Sequence, residues 1–291
     1  MLDPYSGKPA ERLFAASDNR GHPGSFDYYR GSDGHVFLGE IPENLSDHYV
    51  GGYQQIPATE QALAAMAEGD AYRLDAIREI VPQGDFLEIG PWIGLVAYSA
   101  KRAGYRVSAL EMSAECVALM RSAGIDAVQT DDPATALRAS GRTYDVIGLW
   151  HSIEHVPEPW KVIEAAAAAL NPGGVLIVAA PNPESAQFRV LGKRWIHLDA
   201  PRHLHLMTIG QYEAIGRDAG LETIAKTTDD KLGRDLDRHG WTFELQRYVR
   251  NIPILRGIFR LRPDLLLAKW HRTAGALDGA GFTLTMRRPA S

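Results

Sequence analysis

Between residues 84 and 228 two hydrophobic rhythms alternate along the chain. Phe86 to Ile89, Val107 to Leu110, Tyr144 to Trp150 and Val175 to Ala180 are apolar almost throughout, the pattern of strands buried on both faces. Between them, Leu95 to Ala103, Ala114 to Ala123, Ala134 to Ala139 and the alanine-rich Trp160 to Leu170 place apolar residues three or four positions apart, as helices do. Ala127 to Val128 adds a short strand, and Asn171-Pro-Gly-Gly174 predicts a turn. Thr208 to Ala219 predicts a helix stopped at Gly220, Leu221 to Thr228 a strand, and Phe282 to Arg287 a last strand of alternating polarity. Such alternation predicts an α/β fold, a parallel sheet covered by helices on both faces.

Outside this core the rhythm changes. Residues 1–57 are rich in Gly, Pro, Tyr and Asp with little periodicity, so they predict an irregular N-terminal cap with one hairpin around His35 to Leu38. Leu63, Met66, Ala67, Leu74, Ile77 and Ile80 keep helical spacing from Ala58 to Ile80 and lead into the core. The division expected is therefore a cap at 1–57, a core at 58–230, a helical insertion or lid at 231–279, and the last strand and tail at 280–291. The insertion is too long for a hairpin loop, which marks it as functional or as a cover.

Composition narrows the classes. No apolar run approaches the roughly 18 residues of a membrane span, and Met1 to Lys8 is neither basic nor apolar, so a cytoplasmic protein without stable membrane insertion is expected. Cys116 is the single cysteine, which excludes an internal disulfide and a thiolate-rich zinc site; a metal would have to be held by His and carboxylates, with Glu154, His155 and the later histidines as the set to hand, and none is expected. The net charge of -5 argues against duplex nucleic acid as a partner. Residues 231–272 nevertheless hold ten Lys and Arg against four Asp and Glu.

The first core strand runs into Leu87-Glu-Ile-Gly-Pro-Trp-Ile-Gly94, a strand-to-helix turn with two glycines. Glu111, about 20 residues on at the end of the second strand, is where a carboxylate accepts from both hydroxyls of a ribose. Trp92 occupies the place of a dinucleotide site's middle glycine, where its bulk opposes a pyrophosphate. S-adenosylmethionine (SAM) has no phosphate, and Glu88 suits its cationic tail. Thr130-Asp131-Asp132 follows the third strand, where a carboxylate can accept from an adenine amino group.

These residues resemble the class I SAM-dependent methyltransferases. Glu88, Gly90 and Gly94 match that family's first motif, Glu111 its ribose-binding acid and Asp131 its adenine-side acid; Met112 and His151 complete the implied cofactor set. Trp150-His-Ser-Ile-Glu-His-Val-Pro-Glu-Pro159 and the segment from Trp195 to Thr208 resemble the subfamily containing ubiquinone-biosynthesis, natural-product and sugar methyltransferases. The resemblance implies a Rossmann-like, mainly parallel seven-stranded sheet with an antiparallel last strand, SAM as cofactor, and a small-molecule acceptor. Asp3-Pro-Tyr-Ser6-Gly7 and Arg30-Gly-Ser-Asp33-Gly34 resemble the two Cys-x-x-Cys-Gly knuckles that precede the domain in relatives, with all four cysteines replaced, implying a metal-free cap held by hydrophobic packing.

Methyl transfer from a sulfonium is an in-line displacement, so positioning matters most and a base is needed only for a hydroxyl acceptor. His155 and His197 are the candidate bases, although His155 beside Glu154 also suits a bracing role. Trp195, Arg202, His203 and Tyr53 are the candidate acceptor-binding residues; His205 reads as packed or solvated, and Tyr49 and Tyr53 are placed to close over SAM. The apolar-basic segments Ile252 to Arg262 and Leu265 to Trp270 suit a lid, a homodimer contact, a membrane-surface helix or a solvated face, and their charge suits an anionic acceptor. Oxygen is the favoured methyl acceptor, with sulfur and carbon open. A nicotinamide oxidoreductase, disfavoured by Trp92 and the insertion, and a non-catalytic SAM-binding scaffold are the competing classes.

Overall fold

The computed structural model describes residues 1–43, 45–49, 56–249 and 277–290. In chain order they form β1 (Ala10–Ala16), β2 (Phe26–Gly31), β3 (Val36–Leu38), α1 (Glu60–Glu68), α2 (Ala71–Arg78), β4 (Asp85–Ile89), α3 (Leu95–Arg102), β5 (Arg106–Glu111), α4 (Ala114–Ser122), β6 (Asp126–Gln129) and α5 (Pro133–Ser140). Then come β7 (Tyr144–Trp150), α6 (Pro159–Ala169), β8 (Leu170–Pro181), α7 (Ala186–Leu191), β9 (His205–Leu206), α8 (Ile209–Asp218), β10 (Glu222–Thr227), α9 (Lys231–Val249) and β11 (Gly281–Arg287). Two compact units result: Met1–Tyr49 with Ala180–Ile209 and Thr227–Thr283, and Val50–Ala179 with Gly210–Lys226 and Leu284–Ser291. Among the described residues no helix is long and apolar enough to cross a membrane.

The second unit is organised by a seven-stranded sheet of order β10-β11-β8-β7-β4-β5-β6. β6, β5, β4, β7 and β8 pair in parallel. Arg288 exchanges backbone hydrogen bonds with Gly173 and Gly174. The amide of Asn182, beyond the other end of β8, donates to Ala280, so β11 runs against β8. The sheet is the α/β, Rossmann-like one that the sequence implied. Right-handed crossovers put α3 and α4 on one face and α5 and α6 on the other, because the strand order reverses at β4 and β7. On the first face Leu63 and Ala67 of α1, Ile93, Ala97, Val117 and Met120 form one apolar cluster with Ala109 and Ala127.

Two local expectations are corrected here. The single helix read from Ala58 to Ile80 is two, broken at Gly69-Asp70, where glycine and a turn-forming aspartate interrupt an otherwise continuous apolar stripe. Asn171 to Gly174 is a bulge inside β8 rather than a free turn: the β7–β8 register shifts between Tyr144 and Val146, and Asn171 Nδ2 donates to Asp145 Oδ1 at 2.8 Å.

In the first unit the segment expected to be irregular instead forms an antiparallel sheet, β1-β2-β3-β9. Its two-residue fourth strand comes from far along the chain. Tyr28, Val36, Leu38, Trp195, Leu198 and Leu206 share its apolar core, and the Tyr28 hydroxyl donates to the His203 carbonyl at 2.9 Å.

Buried polar groups also hold this unit, where packing alone had been expected. Asp3 accepts from the amides of Tyr5 and Ser6 and meets His35 Nδ1 at 3.1 Å; His35 Nε2 lies 3.1 Å from His205 Nδ1. Of the positions expected to correspond to knuckle cysteines, Arg30 lays its guanidinium over the Phe188 ring, 5.6 Å from the centroid. The Arg202 side chain is completely buried, bonding Asp18 Oδ2 at 2.8 Å, Asp199 Oδ1 at 2.7 Å, Asn19 Oδ1 at 3.0 Å and the His48 carbonyl at 3.0 Å. Burial pushes the Asp199 carboxyl up, but the Arg202 guanidinium and its neighbours hold it at about 2. The acceptor-binding reading of Arg202 is thus corrected: every face of its guanidinium is spent inside the protein.

Arg202→Met retains most of the volume and strands Asp18 and Asp199. Uncompensated buried carboxylates cost about 3–5 kcal/mol. Denaturant unfolding followed by tryptophan fluorescence is expected to report a loss on that scale; a loss below about 1 kcal/mol would mean that water enters and replaces the guanidinium.

Candidate cofactor and acceptor site

The order reversal at β4 and β7 opens a crevice at the carboxyl ends of the strands, where open α/β sheets hold ligands. After β4 the chain turns into α3 through Gly90, Trp92 and Gly94, all left-handed, with φ of 66°, 53° and 75°. A Cβ on Gly90 would stand 2.4 Å from Ser152 Cβ, and one on Gly94 2.7 Å from Met120 Sδ. Glycine is therefore demanded at both by the protein's own packing as much as by a ligand. Trp92 adopts the same hand at a cost of roughly 1–2 kcal/mol. Two contacts offset it: its amide donates to Glu111 Oε2 at 2.8 Å, and its ring packs against the α1–α3–α4 cluster. The ring thus packs with the helix layer.

Glu111, at the end of β5, is almost fully buried and holds two loops, since its Oε1 accepts from the Ser113 amide at 2.8 Å. Burial raises its carboxyl above the usual range despite amides from Ser113, Trp92 and Met112. Beside it the Met112 side chain is exposed, an apolar surface available to the face of a base. Asp132 is used up as the N-cap of α5, accepting from Thr135 N, whereas Asp131 is exposed and makes no hydrogen bond among the described residues. Glu88 is buried with Oε2 on the Ala97 amide at 2.7 Å, and burial pushes its carboxyl up to about 8.

The loop after β7 holds the second half of the site. His151 has φ 52° and donates its amide to Ala179 O, while Ser152 Oγ donates to Ile89 O at 2.7 Å, tying this loop to β4. His151 Nδ1 lies 3.2 Å from Glu154 Oε1, and Glu154 is completely buried. His151 Nε2 is buried without a hydrogen-bond partner. His155 is half-buried on the same turn, its amide on Ser152 O. The Tyr212 phenol is held far above its ordinary range by burial and by the Glu154 charge. Sequence reasoning missed the His151–Glu154 pair. Its three-residue spacing in a tight helical turn, where such positions eclipse, was the available signal.

Trp195 and His197, expected to face the acceptor, are corrected. Trp195 is 2% exposed, its Nε1 donating to Gln187 Oε1 at 2.9 Å, and His197 Nε2 donates to the Leu236 carbonyl at 3.0 Å, which removes that nitrogen as a base. His203 is buried with Nδ1 2.8 Å from the His197 carbonyl. His205 is packed, as His35's partner. Tyr53 lies outside the described residues.

A parallel sheet with a left-handed strand-to-helix loop and an acid at the next strand's end defines a nucleoside-binding, Rossmann-like protein. The chain belongs to the methyltransferase-domain family, whose model matches residues 62–226. It is 30% identical over 158 residues to a ubiquinone biosynthesis O-methyltransferase of Xylella fastidiosa, covering 51% of this chain and 62% of that one. It is 28% identical over 167 residues to the enzyme of the same name in Bordetella avium, covering 52% and 68%. The chain thus spans about three-fifths to two-thirds of the length of these curated relatives. A candidate methyltransferase from Bacillus halodurans shares the fold with TM-score 0.50 and 17% identity, covering 76% of this chain and 99% of that one. The cofactor is S-adenosyl-L-methionine. The residues present fit it: a left-handed glycine loop after β4, the buried Glu111 carboxylate at the end of β5, an exposed methionine beside it and an exposed Asp131 without a hydrogen bond among the described residues.

Two measurements test this fit. Glu111→Ala removes the carboxylate expected to accept from the ribose and the anchor of both amides, so SAM affinity is expected to fall at least tenfold in calorimetry; unchanged affinity would move the ribose elsewhere. Glu88, with its value near 8, is protonated at neutral pH in the free protein. A cationic cofactor tail beside it favours the ionised form, so binding releases a proton and affinity rises with pH until about 8. Titration in buffers of different ionisation enthalpy is expected to show that release, and its loss in Glu88→Gln; an equal release in the variant would assign the proton to another group.

Proposed function

We propose that the protein transfers the methyl group of SAM to a hydroxyl oxygen of a small, anionic metabolite, with His151 taking the hydroxyl proton. The bound cofactor supplies an electrophilic methyl on sulfur. The observation that carries the reading is the state of the His151 ring: one nitrogen on a buried carboxylate, the other buried and unpartnered at the strand end. Nδ1–H donated to Glu154 fixes the tautomer that leaves Nε2 as an acceptor. As the acceptor oxygen bonds the methyl carbon and the sulfur–carbon bond breaks, the hydroxyl proton passes to Nε2, and Glu154 stabilises the imidazolium. His155, on the same turn, is the alternative proton acceptor. The names of the Xylella and Bordetella relatives support oxygen as the acceptor atom. The basic composition of residues 231–272 supports an anionic acceptor.

The test is turnover of methyl-labelled SAM with hydroxylated carboxylates and phosphates, thiols and carbon acids offered in parallel. Label in a hydroxylated anion is expected, with kcat falling about 100-fold or more in His151→Asn, the scale of a lost general base, and SAM affinity nearly unchanged. A comparable fall confined to His155→Asn would transfer the base role. Label only in thiols or carbon acids would replace O-methylation, and SAM binding without turnover would favour a scaffold.

A further inference from the structure

The first unit contains a cavity of 720 Å³, between the end of β1 and its following loop, the loop at 193–200, and the last turns of α9. Its size falls among ligand pockets, roughly 300–1,000 Å³, and is several times what an inorganic ion needs. Its apolar wall includes Trp195, Ile196, Leu198 and Phe243. Trp195 cannot turn its polar edge into the space, because Nε1 is held by Gln187.

The charges around the cavity are not balanced. Asp18 and Asp199 contribute to its lining, but both bond the buried Arg202, and Arg20 Nε stands 3.8 Å from Asp199 Oδ1, so two guanidiniums offset these two carboxylates. Lys193, Arg194 and Arg247 also line it. Glu244, buried, stands 3.3 Å from Arg194 Nε and 3.6 Å from Arg247 Nη1, so two guanidiniums share one carboxylate. The Arg247 contact is an ion pair without a hydrogen bond, since Glu244 Oε2 accepts none. The exposed Lys193 ammonium makes no ion pair among the described residues. Positive charge thus exceeds negative by two over an apolar wall, and Arg and Lys donors suit carboxylate and phosphate oxygens.

We propose that this cavity binds a small organic anion, an apolar or aromatic body carrying a carboxylate or phosphate, with Lys193 and Arg247 holding the charged end and Trp195 and Phe243 lining the space for the body. The site uses none of the residues of the cofactor loops, and the proposal stands whether or not the methyl-transfer reading does.

The experiment is calorimetric titration of the whole protein with phenyl phosphate, phenylacetate, inorganic phosphate and, as the neutral counterpart, benzyl alcohol. At least one of the two aromatic anions is expected to bind at a single site more tightly than inorganic phosphate or benzyl alcohol; which of the two binds tighter assigns the headgroup. The double variant Lys193→Gln with Arg247→Gln is expected to weaken that binding roughly tenfold or more, the scale of one charge-assisted contact, and to leave S-adenosylhomocysteine affinity unchanged as evidence of intact folding. Three outcomes overturn the proposal: neither aromatic anion binds, benzyl alcohol or inorganic phosphate binds as tightly as both of them, or the double variant binds as the unaltered protein does.

Discussion

The grip of the Glu111 carboxylate on two backbone amides is the constraint from which the cofactor crevice follows. A five-residue turn with three left-handed positions, one of them a tryptophan, has no reason to persist alone. Glu111 fixes it by taking the Trp92 amide on one oxygen and the Ser113 amide on the other, joining the ends of β4 and β5. Ser152 extends the linkage, since its hydroxyl reaches Ile89 and its Cβ fills the space a side chain on Gly90 would need. A continuous set of contacts therefore runs from β5 through β4 to the β7 loop. Glu111 and the histidine of the β7 loop are positioned by the same backbone, the kind of shared frame that alignment of a methyl donor with its acceptor requires.

The first unit meets its constraint with charge instead. Arg202 draws the loop at Asp18 and the turn at Asp199 together across 184 and three residues of sequence respectively. Asp3, His35 and His205 make a second buried polar chain through the small sheet. Such clusters seldom add net stability over an apolar core, but they penalise every arrangement that leaves a charge unpaired, and so select one loop geometry. That selection matters in a unit assembled from three separate stretches of chain.

The parts legible in the sequence were those governed by local pattern. Tyr144 to Trp150 is apolar enough to declare a buried strand, and Glu111 follows the glycine turn at a distance that topology dictates. What pattern could not supply were pairings distant in sequence. β9 is two residues long and finds β3 across most of the chain, so the N-terminal sheet left no signal beyond its hairpin. Arg202 looked like an anion binder because charged residues near histidines and a tryptophan usually face solvent. Its partner Asp18 lies in a stretch with no periodicity at all, and only the fold reveals that the charge is already spent. Trp195 and His197 failed for the same reason: Gln187 and the Leu236 carbonyl become their neighbours only when α7 and α9 are in place.

Backbone strain separates the residues that serve the fold from the one that does not serve it fully. Trp92, His151 and Asp199 are the non-glycine residues held at positive φ among the described residues. Each needs compensation, since such conformations persist only where the surroundings over-determine them. For Asp199 the return is structural: both carboxylate oxygens bond Arg202. For Trp92 it is structural too, through Glu111 and the apolar cluster. His151 is compensated at its amide by Ala179 and at Nδ1 by Glu154, yet Nε2 is withdrawn from water with nothing to bond. A buried imidazole nitrogen left that way costs about 1–3 kcal/mol, and a purely structural residue at this position would avoid it. The role proposed for His151 as the base would account for both the unmet nitrogen and the strain that aims it.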